Sequence, residues 1–406
     1  MKTFRRNAEQ AMIMDQCLTD MYADLHIHIG SAKGRAVKIT ASRQLQLKSI
    51  IFHDAPRKGL NIVGVVDAGS TLVADELQLM VASGELTELK QGGFLASNGV
   101  LLIAGCEVEV KEGFHFITYL PNLESIYQWQ DYLRSRVSNM TLSTQKTSAG
   151  IADIIDLSTD LEGIICPAHA FTPHKGVYGM WTAKLEGKIG PKIYQIKVLE
   201  LGLSADTDMA DRLEETRAFA YLSNSDAHSA INIGREFNLL RMEALNFNEL
   251  RWCLENKHDR GIAANFGLHP IMGKYHRTYC PDCGIICQNE PPVLFCPQCG
   301  TDRIVLGVND RITSIQDYPQ ARHPSGRPPY HYRVPLKDLP GIGPAAISKL
   351  LKAVPNEIEL AELTPMDELS EIAGPLVAAA INDMRQGRLK ISAGGGGKYG
   401  KVSRIV

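Results

Sequence analysis

From Tyr22 to about Phe266 short apolar runs alternate with helix-like stretches, and that alternation restricts the chain to a sheet covered by helices. The strand candidates are 22–28, 61–67, 100–110, 115–120, 163–169, 196–202, 219–225 and 237–242. Helical periodicity falls between them at 72–90, 123–137, 149–157 and 208–220. Near-continuous apolar strands predict parallel pairing with both faces buried. An α/β barrel of this kind carries its chemistry at the C-terminal strand ends.

Polar residues fall at those ends repeatedly. His26 and His28 close the first strand, where the i, i+2 spacing sends both imidazoles to one side, and Asp24 adds a third polar side chain on that face. Asp67 closes the second strand, Glu107 and Glu109 lie late in the third, and His115 opens the fourth. His169, Glu200, Asp226 and His228 follow the next three apolar runs. Taken singly, each reads equally well as a helix cap or a paired core group. Five such histidines with several carboxylates in one register converge on one pocket. Imidazole plus carboxylate suits zinc or manganese. Two cations about 3.5–4 Å apart activate a water and stabilise both oxygens of a phosphoester displacement.

On these residues the chain resembles the polymerase-and-histidinol-phosphatase (PHP) superfamily of metal-dependent phosphoesterases. The motifs are matched by Asp24-Leu25-His26-Ile27-His28, Glu107, His115, Pro167-Ala168-His169 and Ser225-Asp226-Ala227-His228. The resemblance implies a distorted (β/α)7 barrel with two or three catalytic divalent metals, usually zinc, manganese or iron, with magnesium a further candidate. It places His26, His28, Glu107 and Asp226 around one ion and makes Glu107 the bridge to a second, held by His115 and His169. His228 serves a third position, and Asp226, Glu107, Asp67 and Glu200 are the expected catalytic carboxylates. Family members often carry a histidine soon after the first motif and another in a Thr-Asp-His motif. Ser31–Gly34 and Val65–Gly69 hold neither, which leaves the third metal and the role of Asp67 open.

Composition sets the wider frame. With 406 residues, 44% hydrophobic and 22% charged, the chain suggests two or three domains. No apolar run approaches the ~20 residues that span a membrane. The stretch before Tyr22, residues 1–21, reads as an N-terminal extension: Arg5 and Arg6 precede no apolar core, so no signal peptide is expected, and Met14 and Met21 leave a later start open. Nine cysteines without such a signal point to a reducing compartment, where clustered cysteines mean metal, and a cytoplasmic, nucleoid-associated setting is expected. Cys280, Cys283, Cys296 and Cys299 form two Cys-x-x-Cys knuckles 12 residues apart, a four-thiolate structural zinc site within 271–316. Such a ribbon binds nucleic acid or serves as a folding staple. Cys287 and the remaining cysteines, Cys17, Cys106, Cys166 and Cys253, read as packed residues.

Residues 317–336 are rich in proline, basic and aromatic side chains, with no acid after Asp317. They read equally as an extended linker and as a strip along a phosphate backbone, with Arg327, Tyr330, Tyr332 and Arg333 as contacts. Beyond them, within 337–406, Leu339-Pro-Gly341-Ile-Gly343-Pro344 opens a helix like a helix-hairpin-helix motif, whose glycines let N–H groups approach a DNA phosphate. A weaker copy lies at Ile372–Ala379. The alternative is a helical protein-interaction module. Residues 377–406 carry six Lys/Arg, including Arg385 and Arg388, against Asp383, a local +5 that favours phosphates. Gly394 to Gly397 is expected to make the end of the tail flexible. Gly341, Gly343 and Lys349 join the DNA contacts, and Arg235 is read as a phosphate contact beside the barrel.

Barrel, ribbon and helical module in this order resemble the endonuclease Q family of DNA-repair enzymes over Tyr22 to about Leu389. The resemblance extends to Pro167–Pro173, Glu200–Asp206, Ser223–Ser229 and Gly234-Arg235-Glu236. It implies hydrolysis of the phosphodiester 5′ of uracil, hypoxanthine, xanthine or an abasic site in double-stranded DNA, leaving a 3′-hydroxyl and a 5′-phosphate. Extruding a weakly paired base costs little, and the loops 33–43 and 171–178 are the candidate pocket walls. No segment identifies a sliding clamp or other protein partner. The competing readings are a small-molecule phosphoesterase and a non-catalytic DNA-binding scaffold with a degraded barrel.

Overall fold

The computed structural model describes residues 18–404, except the side chain of Arg404. Most of the N-terminal extension, with Arg5, Arg6 and Cys17, lies outside the described residues.

The sheet is mixed rather than parallel throughout. β1 (Thr19–Ile27), β2 (Ile62–Val65) and β3 (Leu101–Glu109) pair in parallel. β4 (His115–Leu120) returns antiparallel on β3, and β5 (Ile164–Pro167) antiparallel on β4. The physical reason lies in 110–114: this turn, with Gly113 at φ +102°, is far too short for the dozen or so residues a parallel crossover requires. β6 (Val198–Glu200) and β7 (Ala220–Leu222) form a parallel pair. β8 (Phe237–Met242) runs antiparallel to β1, and β9 (Gly261–Leu268) antiparallel to β8.

Two buried asparagines bridge β7 to β8 and β9. Asn238 Oδ1 accepts from Ser223 N–H at 2.9 Å, and its Nδ2 donates to the Ser223 carbonyl at 3.0 Å. Asn265 Nδ2 donates to the Tyr221 carbonyl at 2.9 Å. These amides stand in for ladder bonds that buried backbone groups otherwise lack.

Helices α1 (Thr71–Ala82), α2 (Leu123–Leu133), α3 (Ile151–Asp160) and α4 (Phe247–Leu254) cover the strands. Asn122 and Asn246 cap α2 and α4 by accepting the N–H three residues on. α1 stops at Ala82, short of the expected residue 90, because Gly84 turns the chain at φ +77° into a strand at Leu86–Glu88. The helix expected over 208–220 is reduced to Thr207–Ala210 and a 3-10 turn, Glu215–Ala218. There the Thr216 hydroxyl donates to the carbonyls of Ala210 and Leu213, and Asp211 is drawn into the core.

Strand parity separates floor from site. Leu101 and Ile103 on β3, Ile117 and Tyr119 on β4 and Val198 on β6 belong to one buried apolar cluster. Glu107, His115 and Glu200 share their parity and continue the same inward face at the other end. Because β4 is antiparallel, its first residue, His115, lies at the same end as the last residues of β3. A register shift between Asp24 and Ile27 turns β1 so that His26 and His28 join that face.

The four-cysteine ribbon follows. Its knuckles place Cys280 Sγ 3.8 Å from Cys299 and Cys283 Sγ 3.8 Å from Cys296, all four within 4.8 Å of one another. Backbone N–H groups of Cys299 and Gln298 help to hold the Cys296 thiol down at about 6, toward the thiolate that zinc takes. Cys106, Cys166, Cys253 and Cys287 are buried. α5 (Val308–Ile315) anchors the ribbon through buried Asp310, which accepts from the N–H groups of Thr278 and Val293, both at 2.9 Å.

The proline-rich stretch corrects the expectation of a free linker or phosphate strip. Tyr330–Arg333 is an edge strand, β10, parallel to β9. Arg327 is buried on Asp211, at 2.8 and 3.0 Å, and on the carbonyls of Phe219 and Arg217, over the Tyr221 ring. Tyr330 points into the barrel, its hydroxyl donating to the Leu268 carbonyl, and Arg333 is buried 2.9 Å from Glu362. None of these three faces solvent as a DNA contact. Arg327→Ala is expected to cost about 2–4 kcal/mol, because the buried Asp211 carboxylate loses its guanidinium and keeps only His323, at 2.7 Å, and the Tyr221 hydroxyl, at 2.8 Å, read as a lower midpoint in urea or heat.

The C-terminal module has its own core around Leu350, Leu369 and Ile381. It holds α6 (Pro344–Ala353), α7 (Met366–Ala373) and α8 (Pro375–Arg385), with Gly374 at φ +90° between the last two. Arg385, expected on DNA, instead donates to the carbonyls of Ala361 and Leu360 at 2.7 and 3.0 Å. The tail glycines are docked rather than flexible: Gly394 exchanges backbone bonds with Ile271 and Arg277, and Gly396 lies against the Tyr279 ring. No helix of the described residues is long and apolar enough to cross a membrane.

Candidate metal centre

Two groups of ligand atoms converge at the polar end of the barrel: His26, His28 and Asp226, and Glu107, His115 and His169. His26 Nε2 and His28 Nε2 stand 3.3 Å apart, each 3.6 Å from Asp226 Oδ1. Glu107 lies between the groups, 3.5 and 3.7 Å from His28 and His26 and 3.0 and 3.6 Å from His115 and His169.

The outer ring nitrogens are already committed. His26 Nδ1 faces Glu200 at 3.0 Å, and His28 Nδ1 faces Asp67 at 3.0 Å. His169 Nδ1 faces the Thr172 hydroxyl at 3.2 Å. A proton on each Nδ1 leaves the Nε2 lone pairs aimed inward, and two lone pairs 3.3 Å apart repel unless a cation sits between them. Glu107 Oε1 is buried and takes no aligned hydrogen bond. The donor set therefore fits divalent cations.

The electrostatics agree. Burial opposes a proton on His26, yet Glu200, Asp226 and Glu107 push it up to about 10. Asp226 and Glu107 stay well below the usual carboxylate range despite their burial, held by the histidines around them. Burial and the neighbouring His28 pull His228 down to about 4, so its ring is neutral. This field favours positive charge at the centre, which a dication satisfies without protons. Two of the candidate ligands carry strained backbone, His169 at φ +31° and Asp226 at φ +45°. Gly202 must be glycine, because a Cβ there would meet His169 Cβ at 2.9 Å.

The structure sorts the expected residues by place. Asp67 and Glu200, grouped above with the catalytic carboxylates, stand behind the histidines and orient them. Asp24 turns away from the centre to accept the N–H groups of Ser225 and Gly234, at 3.1 and 2.9 Å, and so ties β1 to the Asp226 turn. The His228 ring lies tilted against His28, centroids 4.6 Å apart, with Nδ1 3.6 Å from Asp226. Arg235 donates to the Ser225 carbonyl at 2.8 Å and to the Tyr399 hydroxyl at 2.9 Å. Tyr332 donates to Asp206 at 2.9 Å, while Gly341, Gly343, Lys349 and Arg388 are exposed on the helical module. Phe171 and Tyr178, offered as pocket walls, are core residues.

A cavity of about 430 Å³ opens over the centre. A second, about 760 Å³, shares Thr40, Asp226 and His228 with it and is walled by Arg235, Tyr399 and Lys401. The loop 33–43 does wall the cavity over the centre, through Lys38, Ile39 and Thr40, but sequence reasoning singles out neither Lys38 within it, whose Nζ lies 3.3 Å from Glu107, nor Tyr399. Neither sits in a motif; both arrive through loop placement.

Comparison with known proteins extends over the whole arrangement. No family model matches the chain. An uncharacterised protein of Bacillus subtilis is 38% identical over 392 residues, covering 94% of this chain and 99% of that one. An uncharacterised protein of Methanocaldococcus jannaschii is 41% identical over 225 residues, 50% of this chain and 28% of that one. The lesion-specific endonuclease Q of Pyrococcus furiosus superposes with a TM-score of 0.82 at 33% identity, over 95% of this chain and 96% of that one. Endonuclease Q in complex with a 27-mer duplex bearing an abasic lesion at its active site gives 0.83 at 32% identity, over 95% and 97%. With barrel, ribbon and helical module all inside these matches, the chain belongs to the endonuclease Q family.

Proposed function

We propose that the chain is a DNA-repair endonuclease that hydrolyses the phosphodiester 5′ of a deaminated base or an abasic site in duplex DNA. The observation that carries this reading is Asp226, which lines the metal-centre cavity and the larger cavity beside it. A phosphate held over the centre thus has a nucleoside-sized space within one linkage. Two divalent ions, as zinc, manganese or magnesium, would be held by His26, His28 and Asp226 and by Glu107, His115 and His169, and would supply an activated water and charge neutralisation. A third, structural zinc would sit among Cys280, Cys283, Cys296 and Cys299.

The chain's own residues do the rest. Glu200 and Asp67 fix the His26 and His28 rings. Arg235, Lys274 and Lys401 make the larger cavity electropositive, and Tyr399 offers an aromatic face for a base. Residues 22–270 form the phosphoesterase domain, 271–316 the ribbon and 337–406 the DNA-gripping module. A degraded scaffold would have no reason to keep two complete ligand groups and their orienting carboxylates.

Incubating the protein with duplexes that carry uracil, hypoxanthine, xanthine or an abasic site tests the reading directly. Glu200→Ala is expected to raise the metal concentration needed for half-maximal cleavage by about 10–100-fold, with activity recovering at saturating metal. Unchanged metal dependence would remove Glu200 from the positioning role.

A further inference from the structure

We propose that Lys38 takes the place of a third catalytic cation, its ammonium contacting a non-bridging oxygen of the scissile phosphate beside two divalent ions. The inference rests on the nuclease reading above. Among the described residues the barrel assembles two three-residue ligand groups, and His228 adds only Asp226 as a carboxylate neighbour. Ser31–Gly34 and Val65–Gly69 supply no further histidine. The charge on that side comes from lysine: Lys38 Nζ lies 3.3 Å from Glu107 Oε2, its side chain 13% exposed, in the same cavity as His28, His115 and Asp226.

This lysine is held in place. Its N–H donates to the Ile29 carbonyl at 3.2 Å, directly after the His26-x-His28 strand end, and Val37 N–H donates to Gly30 at 3.0 Å. On the other side Ser143 N–H donates to Val37, and Ser42 N–H donates to the His228 carbonyl at 2.8 Å. The loop can pass so close only because residue 30 is glycine; a Cβ there would fall 1.9 Å from the Ser42 carbonyl oxygen. The loop that carries Lys38 is therefore pinned to both ligand-bearing segments. An ammonium has three N–H donors and no lone pair, so it cannot ligate a metal but can donate to a carboxylate and a phosphate oxygen at once.

The test uses the full chain as wild type, Lys38→Met, Lys38→Arg and Lys38→Ala. Metal per chain is counted by mass spectrometry after loading with manganese, and single-turnover cleavage is followed on an abasic duplex. The expected result is two barrel equivalents beyond the ribbon zinc in wild type and in K38M. The K38M cleavage rate should fall about 10²–10³-fold, the scale for losing one preorganised charge at the transition state, with K38R intermediate. Propylamine should restore K38A by about tenfold or more, which a merely structural lysine would not allow. Three barrel equivalents in a cutting wild-type enzyme would overturn the role of Lys38 alone, as would K38M within about threefold of wild type or K38A without amine rescue. A wild type with two equivalents that cuts no lesion duplex would instead overturn the nuclease reading itself.

Discussion

Asp226→Asn is expected to lower single-turnover cleavage of a lesion duplex by about 10³-fold or more, while duplex affinity stays within about threefold. The residue is held at φ +45° with Oδ1 equidistant, at 3.6 Å, from the inner nitrogens of His26 and His28. Asparagine keeps the volume and one oxygen but removes the negative charge that balances a dication. It also places an amide where two lone pairs already crowd. Binding should persist because the phosphate contacts proposed for the cavity rim and the helical module do not pass through this carboxylate. Rates from gel-resolved single turnovers and affinities from anisotropy, on protein with unchanged circular dichroism, check both halves. Cleavage within tenfold of wild type, or equal loss of binding, would remove Asp226 from the centre of the chemistry.

The second large effect is expected from the ribbon. Cys280→Ser or Cys296→Ser should release one zinc per chain and open 279–305 to protease, because a four-thiolate structural site supplies folding free energy of roughly 10–16 kcal/mol in isolated zinc fingers. The consequence should extend beyond the ribbon. Arg277 and Tyr279, at its base, hold Gly394, Gly395 and Gly396 of the tail. Three residues on, Tyr399 meets Arg235 at the edge of the larger cavity. Losing the ribbon should thus free the tail and weaken duplex affinity by about tenfold or more, with the two barrel metals retained. A serine variant that keeps its full zinc content and protease resistance would contradict the assignment. One that loses zinc but binds duplex normally would separate the ribbon from the tail.

The strand framework was legible because nearly every barrel strand is an apolar run with a polar end, and periodicity reports that directly. The sheet's direction was legible too, though unread: five residues between Glu109 and His115 leave no room for a crossover. Strand-end histidines and carboxylates in one register pointed to a shared pocket, and the family resemblance supplied their grouping around candidate ions. What motif spacing could not supply was the difference between a ligand and the carboxylate behind it. Asp67 and Glu200 occupy strand ends like Glu107, and only the ring orientation of His26 and His28 separates their places. Composition misled in the proline-rich stretch, where Arg327 and Arg333 look basic and solvated but are buried on acids 116 and 29 residues away, the buried Asp211 and the partly exposed Glu362. Long-range ion pairs of this kind leave no local signature. The tail glycines failed for a related reason: in Gly394–Gly397 glycine permits close packing against Tyr279, and sequence alone does not distinguish that use from flexibility.

The most direct measurement is cleavage of an end-labelled duplex with one abasic site, uracil or hypoxanthine, beside an undamaged control, with manganese, magnesium or zinc supplied in turn. The account predicts one cut, immediately 5′ of the lesion, leaving a 3′-hydroxyl and a 5′-phosphate, absent from the control and abolished by chelation. Equal binding to all duplexes with no cut under any metal, from protein whose barrel metals are in place, would contradict it.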